Sequence, residues 1–394
     1  MSRVKDQYAR YQSRSRQLGL DPELHAGGHN AVSLAIHGVE KMRELAAVPI
    51  SDADRIQSPI DAEKILSMEP GLARQALLNH IFGHKQLSAA AIAAAELRFR
   101  FMPLMVYQAP DIVVTAQSPL IISSVSSIVN YGTVTIKDGG YIDISVDCNF
   151  TCDVLERIAG DSTAPFDLMI RGVDGNAGNS PAAKGKASNG SPGNDAACDC
   201  CGGTIAQQAG PGAPGQPGVS GDDAGVGQPG ATGPMVNMTI GHLIGTVTVA
   251  ARGGNGGPGG VGGTGGIGGD GGRGGGGATC GAFYANAGDG GNGGLGGRGG
   301  AAGNGGQGGN GGVTRIDCIT VDPYSEFVGN NQVGAGGPKG KPGYGGEGGY
   351  GGNPGGGGGR PGNNAMRGDM GNDQAINGAD GQLGFLIING QPAG

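Results

Sequence analysis

Between residues 253 and 275 the chain reads GGNGGPGGVGGTGGIGGDGGRGG. The residues that are not glycine, Asn255, Pro258, Val261, Thr264, Ile267, Asp270 and Arg273, stand three apart. The same phase returns at 289–313, where Asp289, Asn292, Leu295, Arg298, Ala301, Asn304, Gln307, Asn310 and Val313 keep it and Ala302 is the extra residue. It holds again from Gly337 to Gly355, and weaker triplets occupy 172–178, 212–221, 227–233, 368–371 and 378–384. A flexible glycine linker needs no phase. A strict period of three needs a helix with three residues per turn. Polyproline II geometry supplies that period, rising about 3.1 Å per residue with no internal hydrogen bonds. Its amides and carbonyls must then find partners on neighbouring segments.

The triplet type carries further meaning. A GGX helix has two bare sides and can pack closely on both, whereas a GXX helix has one. The central runs are GGX and the outer runs mostly GXX, so the central runs are expected inside and the outer ones at the edges. Between the runs, MVNMTIGHLIGTVTVAA (235–251), VTRIDCITVDPYSEFV (313–328) and GFLIING (384–390) have strand character. NDAACDCCGGTIAQQ (194–208), ATCGAFYANA (278–287) and the segment around PGNNAM (361–366) have loop character. The order strand, run, loop, run occurs three times. This predicts three hairpins of polyglycine II helices, about six helices in all, tied by β-strands at one end with three loops gathered at the other.

Glycine makes up 89 of 394 residues, but it begins in earnest only at Gly172. Before that point the chain looks like ordinary protein. Residues 1–20 and 30–47 read as helical, with Val32, Ala35, Ile36, Val39, Met42 and Leu45 at helical spacing. Ser51 and Asp52 read as a turn after Pro49, IDAEKILSM as a helix, and Pro70–Gly71 as the start of another that runs through LARQALLNHIFGHKQLSAAAIAAAELRF. Beyond Phe101 the composition turns to Val, Ile, Thr, Ser and Tyr, and YGTVTIKDGGYIDISV has the strand–turn–strand pattern. The expected architecture is therefore multidomain. An N-terminal all-α domain covers 1–100, a β-rich stem (a small sheet or a few β-solenoid rungs) covers 101–171, and the polyglycine II bundle with interleaved strands covers 172–394.

The net charge is −7, and no basic cluster interleaves with aromatic residues, so no nucleic-acid partner is expected. No apolar window of about 18 residues exists, so no membrane insertion is expected. The N-terminal stretch lacks the apolar core of a secretory signal. The expectation is cytoplasmic synthesis, with an extracellular or virion-surface role reached without a classical signal peptide.

Seven cysteines are present. Cys198, Cys200, Cys201 and Cys280 fall in two loops expected to be neighbours, where they form disulfides, stay as thiols or hold zinc. Cys148 and Cys152 are either a local disulfide or reduced. His80 and His84 share a helix face but lack a third ligand, and His25 and His29 read as loop residues, so no metal centre is assigned to them. The tripeptide Arg367-Gly368-Asp369 has its glycine already explained by the period. Glycine-rich phosphate-loop matches inside the repeats have no strand-to-helix context. No nucleophile–base or paired-carboxylate arrangement stands out, so no enzyme activity and no cofactor are expected.

The repeated GGX runs over roughly 172–384 resemble the polyglycine II sandwich proteins. These include snow flea antifreeze proteins and the receptor-binding adhesins at the long tail fibre tips of T-even-like bacteriophages. The phage resemblance implies that the distal loops bind a receptor, which here places binding in 195–209, 278–287 and 360–367. The candidate residues are Phe283, Tyr284 and Asn286, with Asn363 and Asn364; exposed aromatics and amides suit glycan or protein contacts. The expected function is non-catalytic adhesion to a cell-surface protein or glycan receptor, with an anchoring partner for the N-terminal domain. The alternatives are a self-associating matrix, coat or filament subunit and, third, an ice-binding protein.

Overall fold

A computed structural model describes residues 2–23, 30–46, 55–83, 85–158, 165–199 and 203–393. His25, His29, Pro49, Ser51, Asp52, His84, Cys200 and Cys201 lie outside the described residues.

The N-terminal third does not form an all-α domain. Its elements are α1 (Ser2–Gln17), β1 (Asn30–Ile36), α2 (Val39–Ala46), β2 (Ile56–Gln57), α3 (Ala62–Ser67), α4 (Pro70–Ile81), β3 (Lys85–Gln86) and α5 (Ala89–Arg98). Helices make up 13% of the chain, and strands outweigh them. The stretch read as one helix over 30–47 is strand in its first half. Val32, Leu34 and Ile36 also fit a period of two, and β1 pairs antiparallel with β4 (Met102–Val114), Asn30 opposite Gln108 through Ile36 opposite Met102. Pairing with β4 outweighed the helical pattern over its first seven residues, Asn30–Ile36. The helix read beyond Pro70 is split into α4 and α5 by β3. Local chemistry sets the starts: Asp61 accepts from the Lys64 amide, Glu69 from Leu72 and Ser88 from Ala91.

The body of the molecule is a stack of parallel rungs. From β4 the chain continues through β5 (Leu120–Ile122), β6 (Ser127–Ile136), β7 (Ile142–Ile144), β8 (Cys148–Arg157) and β9 (Leu168–Arg171). Past 171 come β10 (Ala197–Cys198), β11 (Ile205–Gln207), β12 (Met235–Ile244), β13 (Thr246–Arg252), β14 (Ala278–Cys280), β15 (Phe283–Ala285), β16 (Val313–Val321), β17 (Glu326–Asn331), β18 (Phe385–Ile388) and β19 (Gln391–Pro392). One sheet has the order β1-β4-β6-β8-β12-β16-β18-β19 and the other β17-β13-β9-β7-β5. Among the solenoid strands every pairing is parallel. Each turn of the chain lays one strand in each sheet. This is a two-sheet β-solenoid, and like residues stack down it: Ile122, Ile144 and Ile170 form one column. The apolar core between the sheets runs from Tyr107 to Leu386, so strands on both sides of residue 171 share it. In the larger sheet the register skips at Pro110, Gly132, Asp153 and Gly241. A side chain at Gly132 would overlap the Pro110 carbonyl oxygen, and one at Gly241 the Asp153 carbonyl. These bends carry inward-facing residues from one phase to the other.

The helices are laid on the outer face of the larger sheet, where Met42, Leu77, Ile81 and Phe82 pack on Leu104, Val106, Ile128 and Met235. Two asparagines in one register column pin helix ends to the sheet. Asn149 donates through Nδ2 to the Ala46 carbonyl at the end of α2, and Asn237 donates to Phe82 at the end of α4 (2.8 Å). Both are buried, and both satisfy carbonyls that a helix terminus leaves without partners.

The glycine runs are insertions between successive rungs. The first and second (172–194, 210–233) lie between β9 and β12, the third and fourth (253–275, 288–312) between β13 and β16, and the fifth and sixth (334–355, 359–384) between β17 and β18. Their backbones bond sideways at intervals of three residues. The first, third and fifth runs form one layer leaving the smaller sheet. The second, fourth and sixth form the other and enter the larger sheet. The third run bonds to the first, second, fourth and fifth. Gly256 N donates to Ala335 O, Gly257 N to Gln228 O, Gly291 N to Gly272 O, and Gly175 N to Asn255 O. The fourth run likewise touches four neighbours, and the first and sixth only two.

Candidate functional site: the distal tip

At its far end each pair of runs closes with a short connection. The first is the β10–β11 hairpin and the second the β14–β15 hairpin. The second turns on Gly281–Ala282 with Gly281 at φ +63°, while Ala282 is not at positive φ. This is the type II′ pattern of a two-residue hairpin, which demands glycine at its first central position. The third connection is the turn at 356–358, where Gly357 and Gly358 have φ of +105° and +109°.

Covalent and polar links brace these connections together. Cys198 and Cys280 are joined by a disulfide between the first and second, which excludes zinc held by that pair of thiolates. Tyr284 Oη donates to the Gly357 carbonyl, tying the second connection to the third. Asp199 accepts from the Gly203 amide (3.0 Å) and the Thr204 hydroxyl (2.7 Å) and so shapes the first. The Ala285 side chain is buried beneath the second hairpin. On this braced support Phe283 is 56% and Tyr284 54% exposed, and Asn286 beside them is exposed too.

Asn363 and Asn364 stand elsewhere. The segment 360–367 is not a loop; it is the start of the sixth run, bonded to the fourth from Arg360 onward. The Asn363 amide donates to Asn292 Oδ1, and Asn364 Oδ1 accepts from the Gly351 amide. Their positions belong to the wall below the tip. Arg367-Gly368-Asp369 lies in the same run. Gly368 is packed against the Gly297 carbonyl, and Arg367 donates to Gly345 O with its guanidinium 5.9 Å from the Tyr344 ring.

Asn364 illustrates a role that the sequence pattern did not reveal: a short polar side chain caps a backbone amide of the adjacent run, here that of Gly351. In the third and fourth runs both glycine amides of a GGX triplet donate to neighbouring runs, but the amide of X points outward. Short polar side chains on the adjacent run accept from it. Asp174 caps Asn255, Ser180 caps Val261, Asn189 caps Asp270 and Asp223 caps Ala301. In turn Asn255 caps Ala335 and Asp270 caps Tyr350. Lys186 and the Tyr350 amide together hold the Asp270 carboxyl below its usual range. The recurrence of Asn and Asp at X was the available signal. Its meaning needs the lateral register, which a single run does not contain.

Among the described residues the other cysteines, Cys148, Cys152 and Cys318, are free. Cys148 and Cys152 are buried on one strand, four residues apart, which excludes a bond between them. Burial raises both thiols far above their usual range, leaving them unreactive. Among the described residues no group of three or more His, Cys, Asp or Glu side chains is placed to hold a metal ion.

The fold and tip together define a β-solenoid carrying braced glycine hairpins. No family model matches the chain, and no curated protein matches it. Among solved structures the chain is similar to a springtail antifreeze protein from Granisotoma rainieri, described as a nine polyproline type II helical bundle. The identity is 26%, over 49% of this chain and 93% of that one, with a TM-score of 0.08. A likeness at that TM-score carries no argument about this chain.

Proposed function

We propose that this chain is a non-catalytic binding protein that presents a recognition tip on a long glycine stalk. This is the arrangement of the polyglycine II sandwich adhesins that its repeats resemble. The observation that carries the reading is the pair Phe283 and Tyr284, each more than half exposed on a hairpin braced by a disulfide and by the Tyr284–Gly357 bond. Exposed aromatic side chains cost contact area unless a partner covers them, and a rigid support lowers the entropy lost when one does. The third run has 23 residues between 253 and 275, which at the polyproline II rise spans about 70 Å. The runs hold the tip at that distance from the solenoid, whose helix-covered face is left for an anchoring partner. The disulfide fits a protein that works outside a reducing cytosol, on a cell or virion surface. The proposed partner is a surface protein or glycan.

The test is binding of the labelled protein to a panel of cell surfaces and to a glycan array, with a Phe283→Ala/Tyr284→Ala/Asn286→Ala variant beside it. A partner bound through the tip loses about tenfold or more in affinity when such anchors are truncated. Unchanged binding by a variant with the native circular dichroism spectrum overturns the reading. A second reading, lateral self-association, is favoured by one observation. The outer face of the first layer exposes Val261, Ile267, Tyr344 and Tyr350. Sedimentation that stays monomeric across a wide concentration range removes it.

A further inference from the structure

Where α1 and α2 cross the outer face of the larger sheet they leave a cleft of about 430 Å³, within the range of small-molecule sites. Leu18 and Leu45 come from the helices, Ile128 and Asn149 from the sheet beneath, and Arg14 and Glu44 also line it. Asn149 is 5% exposed. Its Nδ2 is engaged with the Ala46 carbonyl, but Oδ1 of the same amide is buried with no hydrogen-bond partner among the described residues. An unpaired buried acceptor is costly, and in native structures it calls for an explanation.

The other polar groups facing the cleft decide what would satisfy it. Arg14 is spent on the protein: Nε donates to Asn130 Oδ1, and the Nη atoms donate to the Asp153 carboxylate and the Tyr131 carbonyl. Asp153 balances its charge at 3.0 Å. Asn130 Nδ2 is spent on Ser15 Oγ and the Tyr11 carbonyl. The buried Asn149 Oδ1 is still unpaired among the described residues. At the exposed rim Glu44 gives one carboxylate oxygen to Lys41 (2.9 Å), which leaves its other oxygen for a ligand. The rest of the wall combines the aliphatic Leu18, Leu45, Ile128 and Val129 with the neutral side chains of Gln17 and Thr151.

We propose that this cleft binds a compact ligand carrying a protonated primary amine on a short alkyl chain. The ammonium group donates to Asn149 Oδ1 and lies toward the Glu44 carboxylate. The alkyl chain lies against Leu18, Leu45 and Ile128. This site is separate from the distal tip and does not depend on the role given to it.

The test uses the full chain with n-butylammonium as probe and butyrate as the matched anion, read by calorimetry and by crystals soaked with each. One butylammonium per chain, seated in the cleft, is the expected result, with butyrate not binding. Asn149→Leu removes the acceptor and weakens butylammonium by about tenfold or more, the loss expected for a hydrogen bond to a charged group. Since that change also removes the cap on α2, Leu18→Trp is the second variant. It fills the cleft from the helix side, leaves the sheet untouched and abolishes binding. No binding of butylammonium at millimolar concentration overturns the proposal. So does butyrate binding equally well, or binding that survives both variants.

Discussion

Gly269 and Ile267 sit two residues apart in the third run and answer to different constraints. A Cβ on Gly269 would overlap the backbone carbonyl of Ser188 in the first run, with no flexible side chain to give way. Ile267 is an X residue, 41% exposed. Gly269→Ala is expected to destabilise by about 3 kcal/mol or more, since the backbones of two runs must separate. Ile267→Ala should stay within about 1 kcal/mol. Urea unfolding followed by circular dichroism separates them, and equal effects would contradict the close packing of runs. This division was legible in the sequence, because the phase itself marks which positions are bare. The capping of X amides was not, because Asp174 and Asn255 are 81 residues apart. Asp147 is likewise silent in the sequence. It is buried before β8, accepts from the Met235 amide (2.7 Å), and burial raises its carboxyl to about 6 against the weaker opposing pull of that amide and Arg74. The unfolded carboxyl titrates near 4. The folded chain therefore holds the extra proton between those values, and this group's contribution to stability falls as pH rises through that window. The loss above it is about 3 kcal/mol. Asp147→Asn keeps the acceptor, so it should be more stable than wild type at pH 7 and equal to it near pH 4. Paired unfolding curves across that range check the sign.

At the scale of the element, phase and register matter more than length. The sixth run contains one residue too many. The fourth run bonds to Asn372 from Ala302 and to Ile376 from Gly305, a step of four carbonyls against three amides. The extra residue is tolerated because this run lies at the edge, and Asp373 and Gln374 are exposed. Deleting Gln374 restores the strict period and should change stability by no more than about 0.5 kcal/mol. Deleting Thr264 from the third run moves Ile267, Asp270 and Arg273 into bare positions between layers. That protein should lose its cooperative transition. Equal tolerance of the two deletions, measured by thermal unfolding, would sink the assignment of edge and interior. The N-terminal elements were less legible for the same reason that the runs were more so. A three-residue period sustained over 23 residues admits one reading, while seven apolar-rich residues at 30–36 admit two. The choice fell to β4, whose free edge no local pattern announces. The tip was half legible. Phe283, Tyr284 and Asn286 were placed by a loop between two runs, but 360–367 was not, because Gly357 and Gly358 let the chain reverse within 356–358.

For the whole molecule, the glycine layers have almost no apolar surface to bury, and each ordered glycine gives up more backbone freedom than any other residue. Their lateral hydrogen bonds have to be assembled in register by something else. The solenoid does this. Adjacent rungs stand about 4.8 Å apart because N–H···O=C bonds join them, and neighbouring runs in a layer are joined by the same kind of bond. The smaller sheet sets the spacing of the first layer and the larger sheet that of the second. The solenoid core is built from both sides of residue 171: β12 pairs with β8 over eight residue pairs and β13 with β9 over four. Cutting the chain there exposes Phe150, Cys152, Met238 and Ile240 at two complementary rung edges. The halves 1–171 and 172–394, expressed separately, should therefore aggregate or remain unfolded. Co-expressed, they should associate through β8–β12 and β9–β13 and recover the native circular dichroism spectrum. A separately expressed 172–394 that is monomeric and unfolds cooperatively would show that the glycine runs set their own register, and the solenoid would then be only an attachment point.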